Sequence, residues 1–312
     1  MVMEMNEYYQ FFLNSYTFRV VTIGCSLLAM ISAVIGNFAV LKKESLLGDG
    51  VAHASLAGVC IAFIISGKKE MYILLFGALI VGLLCIALIH YIQLYSKIKF
   101  DSAIALILSS FFGLGLVLLT YLKKIPGAKK AGLNRFIFGQ ASTLVVKDIY
   151  IICFVGIILL SLIILFWKEI KISIFDKDYA KTLGINSNKI RFLVSILIVV
   201  NVIIGIQIAG VILITAMIIA PSIAARQWSD KLLVVTLISA IFGFLSGAVG
   251  SIISTLDTAL PTGPLIVMSS GFFVIFSMIF SVKQGLIAKF FRNYKRNRKI
   301  RKNIKKYGGD TR

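Results

Sequence analysis

Asp49 and His53 are the side chains of this 312-residue chain best placed to do chemistry. They lie in Leu46-Leu47-Gly48-Asp49-Gly50-Val51-Ala52-His53-Ala54-Ser55-Leu56-Ala57-Gly58, a stretch that is otherwise apolar or small. Residues four apart share one face of a helix, so a carboxylate and an imidazole would project together. Gly50, Ala52, Ala54, Ala57 and Gly58 leave room for other helices to approach. An ionisable group inside a bilayer costs at least about 2.5–3.5 kcal/mol on insertion scales, which makes it a functional candidate by default. Carboxylate plus imidazole suits a divalent transition metal. The same pair could shuttle protons, or neutralise itself near a helix end. His90, the other histidine, stands beside Tyr91 and Gln93 near the end of an apolar run and reads as a hydrogen-bonded structural residue. Cys25, Cys60, Cys85 and Cys153 fall inside apolar runs without metal-ligand spacing, as buried small hydrophobes do.

The elements that must hold these groups are membrane helices. Hydrophobic residues make up 59% of the chain and charged ones 15%, against about 25% charged in a soluble domain. Ile73–Ile89 has no polar side chain, and Leu213–Ala220 has only Thr215. Apolar runs bounded by charge or turn residues predict about nine helical segments: 18–41, 48–66, 71–94, 101–121, 146–167, 189–208, 210–226, 231–253 and 264–283. Gly205 and Gly210 bracket a possible break, so the sixth and seventh could form one bent element and give eight crossings. The expected fold is therefore all-α and polytopic, with a membrane domain over residues 1–283 and a basic tail over 284–312. No cleavable signal peptide is expected, because Glu4 and Glu7 stand where a basic region would be needed.

The net charge of +20 is concentrated in the tail after the last apolar run, from Lys283 to Lys306. That placement is a topology signal that also meets anionic lipid, and no nucleic-acid partner is expected. With nine crossings, Lys42/Lys43, Lys97/Lys99, the Lys168–Arg191 stretch, Arg226/Lys231 and the tail face the cytoplasm. Lys68/Lys69 and the Lys123–Arg135 loop oppose this assignment but are outnumbered. Gly243 and Gly247 form a G-x-x-x-G pair, read as close packing within the bundle.

Two further segments bear on mechanism. Between the fifth and sixth runs, Asp176 can cap a short helix and Gly184 can end it, with Tyr179, Ala180 and Leu183 as its apolar face. Such a helix lies on lipid or docks into a protein. Pro221 lacks an N–H, so the carbonyl of Met217 loses its helical partner. That places a possible polar path lining at Met217, Pro221 and Ser222, although a packing kink explains it equally. Asp257, before Pro261, reads as a helix cap. No G-x-x-x-x-G-K-[ST] phosphate loop is present, so ATP-driven transport would need a separate ATPase chain.

Five stretches together resemble the metal-type permeases of ATP-binding-cassette (ABC) importers, the manganese, zinc and iron group. Lys43 through His53 is similar to the family's "R-x-x-L-x-G-D-A-x-x-H-A", with Lys43 for arginine and Gly50 for alanine. Phe138-Gly139-Gln140 resembles "L-F-G-S", with Gln140 departing, and Asp176–Gly184 resembles the cytoplasmic coupling helix. Gly210–Arg226 resembles "G-x-L-L-x-x-A-L-L-x-x-P-A-A-x-A", and Leu260–Val267 resembles "L-P-x-G-P-x-I-V". The resemblance implies the importer permease fold, with Asp49 and His53 touching the metal in transit. It implies three partners: an ABC ATPase that docks on the coupling helix and alone binds ATP, an extracytoplasmic metal-binding protein, and a second permease. It also implies a bacterial cytoplasmic membrane location with the C-terminus inside.

One imidazole with oxygen donors and no thiolate favours manganese narrowly, with zinc or iron as alternatives and no permanently bound cofactor. Two other readings compete. An ion-coupled secondary transporter would use the pair without an ATPase, and an ABC permease for a siderophore or haem chelate would not need the pair.

Overall fold

At 1.5 Å per residue, the 26 residues of α1 (Tyr16–Leu41) reach about 39 Å, more than a hydrocarbon core of about 30 Å requires. The computed structural model describes residues 15–68, 70–122, 124, 139, 141, 144–256, 260–290, 294 and 296, and these contain helices and no strands. After α1 come α2 (Leu46–Ser66), α3 (Met71–Tyr95), α4 (Phe100–Leu122) and α5 (Val146–Leu165). Two short helices follow, α6 (Trp167–Phe175) and α7 (Lys177–Thr182). Then come α8 (Ser187–Ala209), α9 (Val211–Arg226), α10 (Leu232–Leu256) and α11 (Thr262–Phe280). Eight of these helices are long and apolar enough to cross a membrane. The remaining predicted segment, the seventh (210–226), is α9, whose 16 residues span only about 24 Å.

The choice between a bent element and two helices is decided at Gly210. Its φ of +79° with ψ of 168° is a conformation open essentially to glycine alone, and it ends α8 outright. Gly263 at the start of α11 approaches Ala209, while at the other end of α11 Ser281 donates to the Gln227 carbonyl at 2.7 Å. Trp228 likewise donates to Ser277 at 3.0 Å. Thus α9 runs alongside α11 from one end of the bundle to the other. Among the described residues, the eight long helices and the shorter α9 run between the two ends of the bundle.

Helix ends also define the two faces. Lys42 reaches the Ile190 carbonyl at 3.5 Å, Phe38 meets Trp167 edge-on at 5.8 Å, and Lys283 pairs with Asp230. These contacts gather the ends of α1, α5, α9 and α11 with the starts of α2, α6, α8 and α10 into one basic end. The opposite end carries the α8–α9 break and the α10–α11 turn.

Small residues set the interhelix distances. A Cβ on Gly243 would lie 2.5 Å from the Ala29 carbonyl oxygen and one on Gly247 2.7 Å from that of Cys25, so the G-x-x-x-G face is where α10 meets α1. Gly58 and Gly77 bring α2 and α3 together in the same way. Polar pins cross these seams: Ser32 with Asn201 at 3.0 Å, and Asn37 donating to Thr236 at 2.8 Å. Interhelical hydrogen bonds of this kind are worth about 0.6 kcal/mol on average in membranes, so they fix register more than they add stability.

Candidate metal site

Asp49 lies in the first turn of α2 and His53 one turn further in. The fourfold spacing does what the periodicity demands: His53 Nε2 is 3.5 Å from Asp49 Oδ1. The floor beneath them is apolar. A Cβ on the neighbouring Gly48 would meet Ile218, Thr215 and Val202, and one on Gly50 would lie 2.9 Å from Ile104. Phe112 of α4 meets the His53 ring edge-on at 4.9 Å, holding the imidazole plane. His53 Nδ1 is buried and has no hydrogen-bond partner.

The pair is not enclosed. Asp49 is 40% exposed and His53 24%, on a helix that is otherwise largely buried. Hydrocarbon is an expensive environment for a carboxylate. This face therefore suits a polar path or an apposed protein surface. Among the described residues no group of three or more His, Cys, Asp or Glu side chains converges.

Met217, Pro221 and Ser222 are all buried in α9. Ser222 donates to the Ala33 carbonyl of α1 at 2.9 Å and to its own Ile218 carbonyl at 3.0 Å. Within the subunit they occupy a closed seam between α9 and α1, a packing arrangement. His90 behaves as a structural histidine, with Nε2 3.2 Å from Ser195 and its ring between Phe100 and Phe192.

The short helix α7 has both its caps. Asp176 accepts from the N–H groups of Asp178 (3.1 Å) and Tyr179 (2.9 Å). Gly184 sits at φ +75°, with Gly184 N–H donating to Lys181 and Ile185 N–H to Ala180, a closing pair that satisfies the last carbonyls. The predicted apolar face divides. Ala180 is buried against the bundle, whereas Tyr179 and Leu183 are exposed at the basic end together with Phe175.

Sequence reasoning passed over an ion pair next to this machinery. Glu44, 2% exposed, binds Arg191 of α8, whose guanidinium also lies 4.1 Å from the centre of the Phe100 ring. Burial pushes the Glu44 carboxyl up, while Arg191 and Lys42 pull it back. Burial also lowers the Lys42 ammonium to about 8. The available signal was an acidic residue within Lys42-Lys43-Glu44, a run that reads as a topology signal.

Residues 14–281 match the ABC 3 transport family. The chain belongs to that family. Within it, the "Zinc transport system membrane protein TroC" of Treponema pallidum is 39% identical over 279 residues, covering 89% of this chain and 94% of the relative. The "Manganese transport system membrane protein MntC" of Bacillus subtilis is 44% identical over 86% of this chain, which spans only 62% of that longer protein. Among solved structures, "PsaBC from Streptococcus pneumoniae in complex with Fab" superimposes with a TM-score of 0.77 at 29% identity, over 90% of this chain and 97% of that one. The matched residues take in every helix from α1 to α11. Of the motif residues, Phe138, Gln140 and Asp257 lie outside the described residues.

Proposed function

We propose that this chain is the membrane-spanning subunit of an ABC importer that carries a divalent transition metal, manganese in the first place and zinc or iron as alternatives, into the cytoplasm. The observation that carries the reading is the partly exposed Asp49/His53 pair on an otherwise buried membrane helix. The names of the relatives support the cargo class and leave manganese and zinc both open. A carboxylate and an imidazole bind these ions without the thiolates that would hold them too tightly for release.

Two donors are too few for any of these ions. A second permease presenting the same face would complete a polar path between the copies and remove the exposed carboxylate from lipid. Tyr179 and Leu183, held out from the basic end by the two caps of α7, form the docking face for a separate ATPase. The metal arrives from an extracytoplasmic binding protein at the opposite end. The basic end, with the C-terminal tail, lies in the cytoplasm of a bacterial cell.

Uptake of manganese into proteoliposomes holding the permease, its ATPase and its binding protein tests this reading. Asp49→Asn and His53→Ala should each lower ATP-dependent uptake by at least about tenfold, since even outer partners of metal ligands cost 10–100-fold when lost. Uptake that proceeds without the ATPase would favour an ion-coupled carrier instead. Normal uptake by both variants would remove the pair from the path.

A further inference from the structure

We propose that the buried Glu44–Arg191 ion pair links the coupling helix to the helix bearing Asp49 and His53, so that Glu44 and Arg191 are positioning residues for transport. The inference rests on the functional reading above and adds residues that reading does not use.

Both sides of the pair are anchored. At the end of α1, Lys43 takes φ +60° while Lys43 N–H donates to Val40 and Glu44 N–H to Ala39 at 2.9 Å. A left-handed conformation at a non-glycine residue is strained and persists where its surroundings dictate it. Glu44 is thereby held at a defined point, and its own carbonyl accepts from Leu47 N–H at 3.1 Å in the opening turn of α2, which begins three residues before Asp49. On the other side, Asn186, two residues after Gly184, caps α8 through the N–H groups of Asn188 and Lys189. Arg191 stands in the first turn and a half of that helix, clamped between Glu44 and Phe100.

The path from α7 to the metal helix thus runs through one capped turn, one ion pair and one turn of helix. Lys177 of α7 also bears electrostatically on Glu44 and Lys42. A buried pair makes a stiff connection because separating it leaves a buried charge uncompensated. A displacement of α7 by a docked ATPase therefore moves α2 along with α8.

The test is the ratio of metal uptake to ATP hydrolysis in the reconstituted complex, for wild type, Glu44→Gln, Arg191→Met and the exchanged pair Glu44→Arg with Arg191→Glu. Each single variant should still co-purify with the ATPase and hydrolyse ATP, with uptake per ATP at least tenfold lower. The exchanged pair should recover a third or more of the wild-type ratio. Single variants with a wild-type ratio, or with uptake and hydrolysis falling in proportion, would overturn the link and leave the pair a packing element. Absence of metal uptake by the wild-type complex would instead sink the functional reading, and this inference with it.

Discussion

Gly36 offers the sharpest test of the bundle that carries the site. It lies on α1 where α9 crosses, and a Cβ there would stand 1.9 Å from the carbonyl oxygen of Ile218. Even a close carbon–oxygen contact needs roughly 3.3–3.6 Å, so Gly36→Ala falls short by about 1.4 Å. The obstacle is backbone, which cannot rotate away as a side chain would. Separating α1 from α9 would stretch the Ser222–Ala33 hydrogen bond and draw Ile218 off Gly48, beside Asp49. Overpacking typically costs about 1–3 kcal/mol, and a main-chain clash belongs at or above the top of that range. Gly113→Ala in α4 is the control, because nothing lies within 4 Å of its Cβ position. There the substitution should be neutral or stabilising by up to about 1 kcal/mol, through the helix preference of alanine. Thermal unfolding of the two variants in the same detergent measures the difference. Gly36→Ala melting at or above Gly113→Ala would refute the close α1–α9 approach.

Asp176→Ala removes both side-chain hydrogen bonds at the start of α7 and should cost about 0.5–2 kcal/mol locally, read as faster proteolysis around residues 177–184 and weaker co-purification with the ATPase. Asp176→Ser should restore most of both, and an alanine variant that binds the ATPase normally would show that the cap does not matter for docking. Lys42 supplies a pH test. Its ammonium is lowered from 10.5 to about 8, so between those values the unfolded chain holds more of its proton and wild-type stability rises with pH. Lys42→Met should therefore be the more stable protein at pH 7, by up to about 3 kcal/mol, with the gap closing by pH 10. An equal gap in melts at both pH values would rule out a buried Lys42 charge.

What the sequence disclosed depended on whether a signal was local. The long apolar helices, the shared face of Asp49 and His53, and the caps at Asp176 and Gly184 follow from spacing within one segment, and all are present, whereas the short helix α6 was not foreseen. The division of Tyr179, Ala180 and Leu183 between exposed and buried was not legible, because a six-residue helix shows a periodicity without showing which side meets the bundle. Glu44–Arg191 was hidden for a stronger reason. Its partners are 147 residues apart, and each sits in a basic stretch whose composition already had an explanation. Pro221 is a further case: local chemistry points to the residues around it, but the neighbour they meet is α1, 189 residues away, whose Ala33 carbonyl accepts from Ser222.

The glycines of three separate motifs meet at one place. Gly139, at φ +70°, would place a Cβ 2.4 Å from the backbone of Ala209 and Gly210. Gly263 of Leu260-Pro261-Thr262-Gly263-Pro264 would place one 3.2 Å from the Ala209 carbonyl oxygen, and Gly210 itself is the break. In sequence these positions look like unrelated turn signals. In space they are a single requirement: a helix that stops inside a packed bundle exposes its last carbonyls, and only segments without a Cβ come close enough to cover them. Ser254, bonded to Thr262 at 2.8 Å and to the Leu260 carbonyl at 2.9 Å, fastens the third of these segments from α10. The break shortens α9 to 16 residues, and the shortening lets its middle, with Thr215 and Ile218, lie against Gly48 beside Asp49. The motif glycines at one end of the bundle and the ionisable pair near the other are thus joined by the length and placement of α9, which is why both signals occur in one chain.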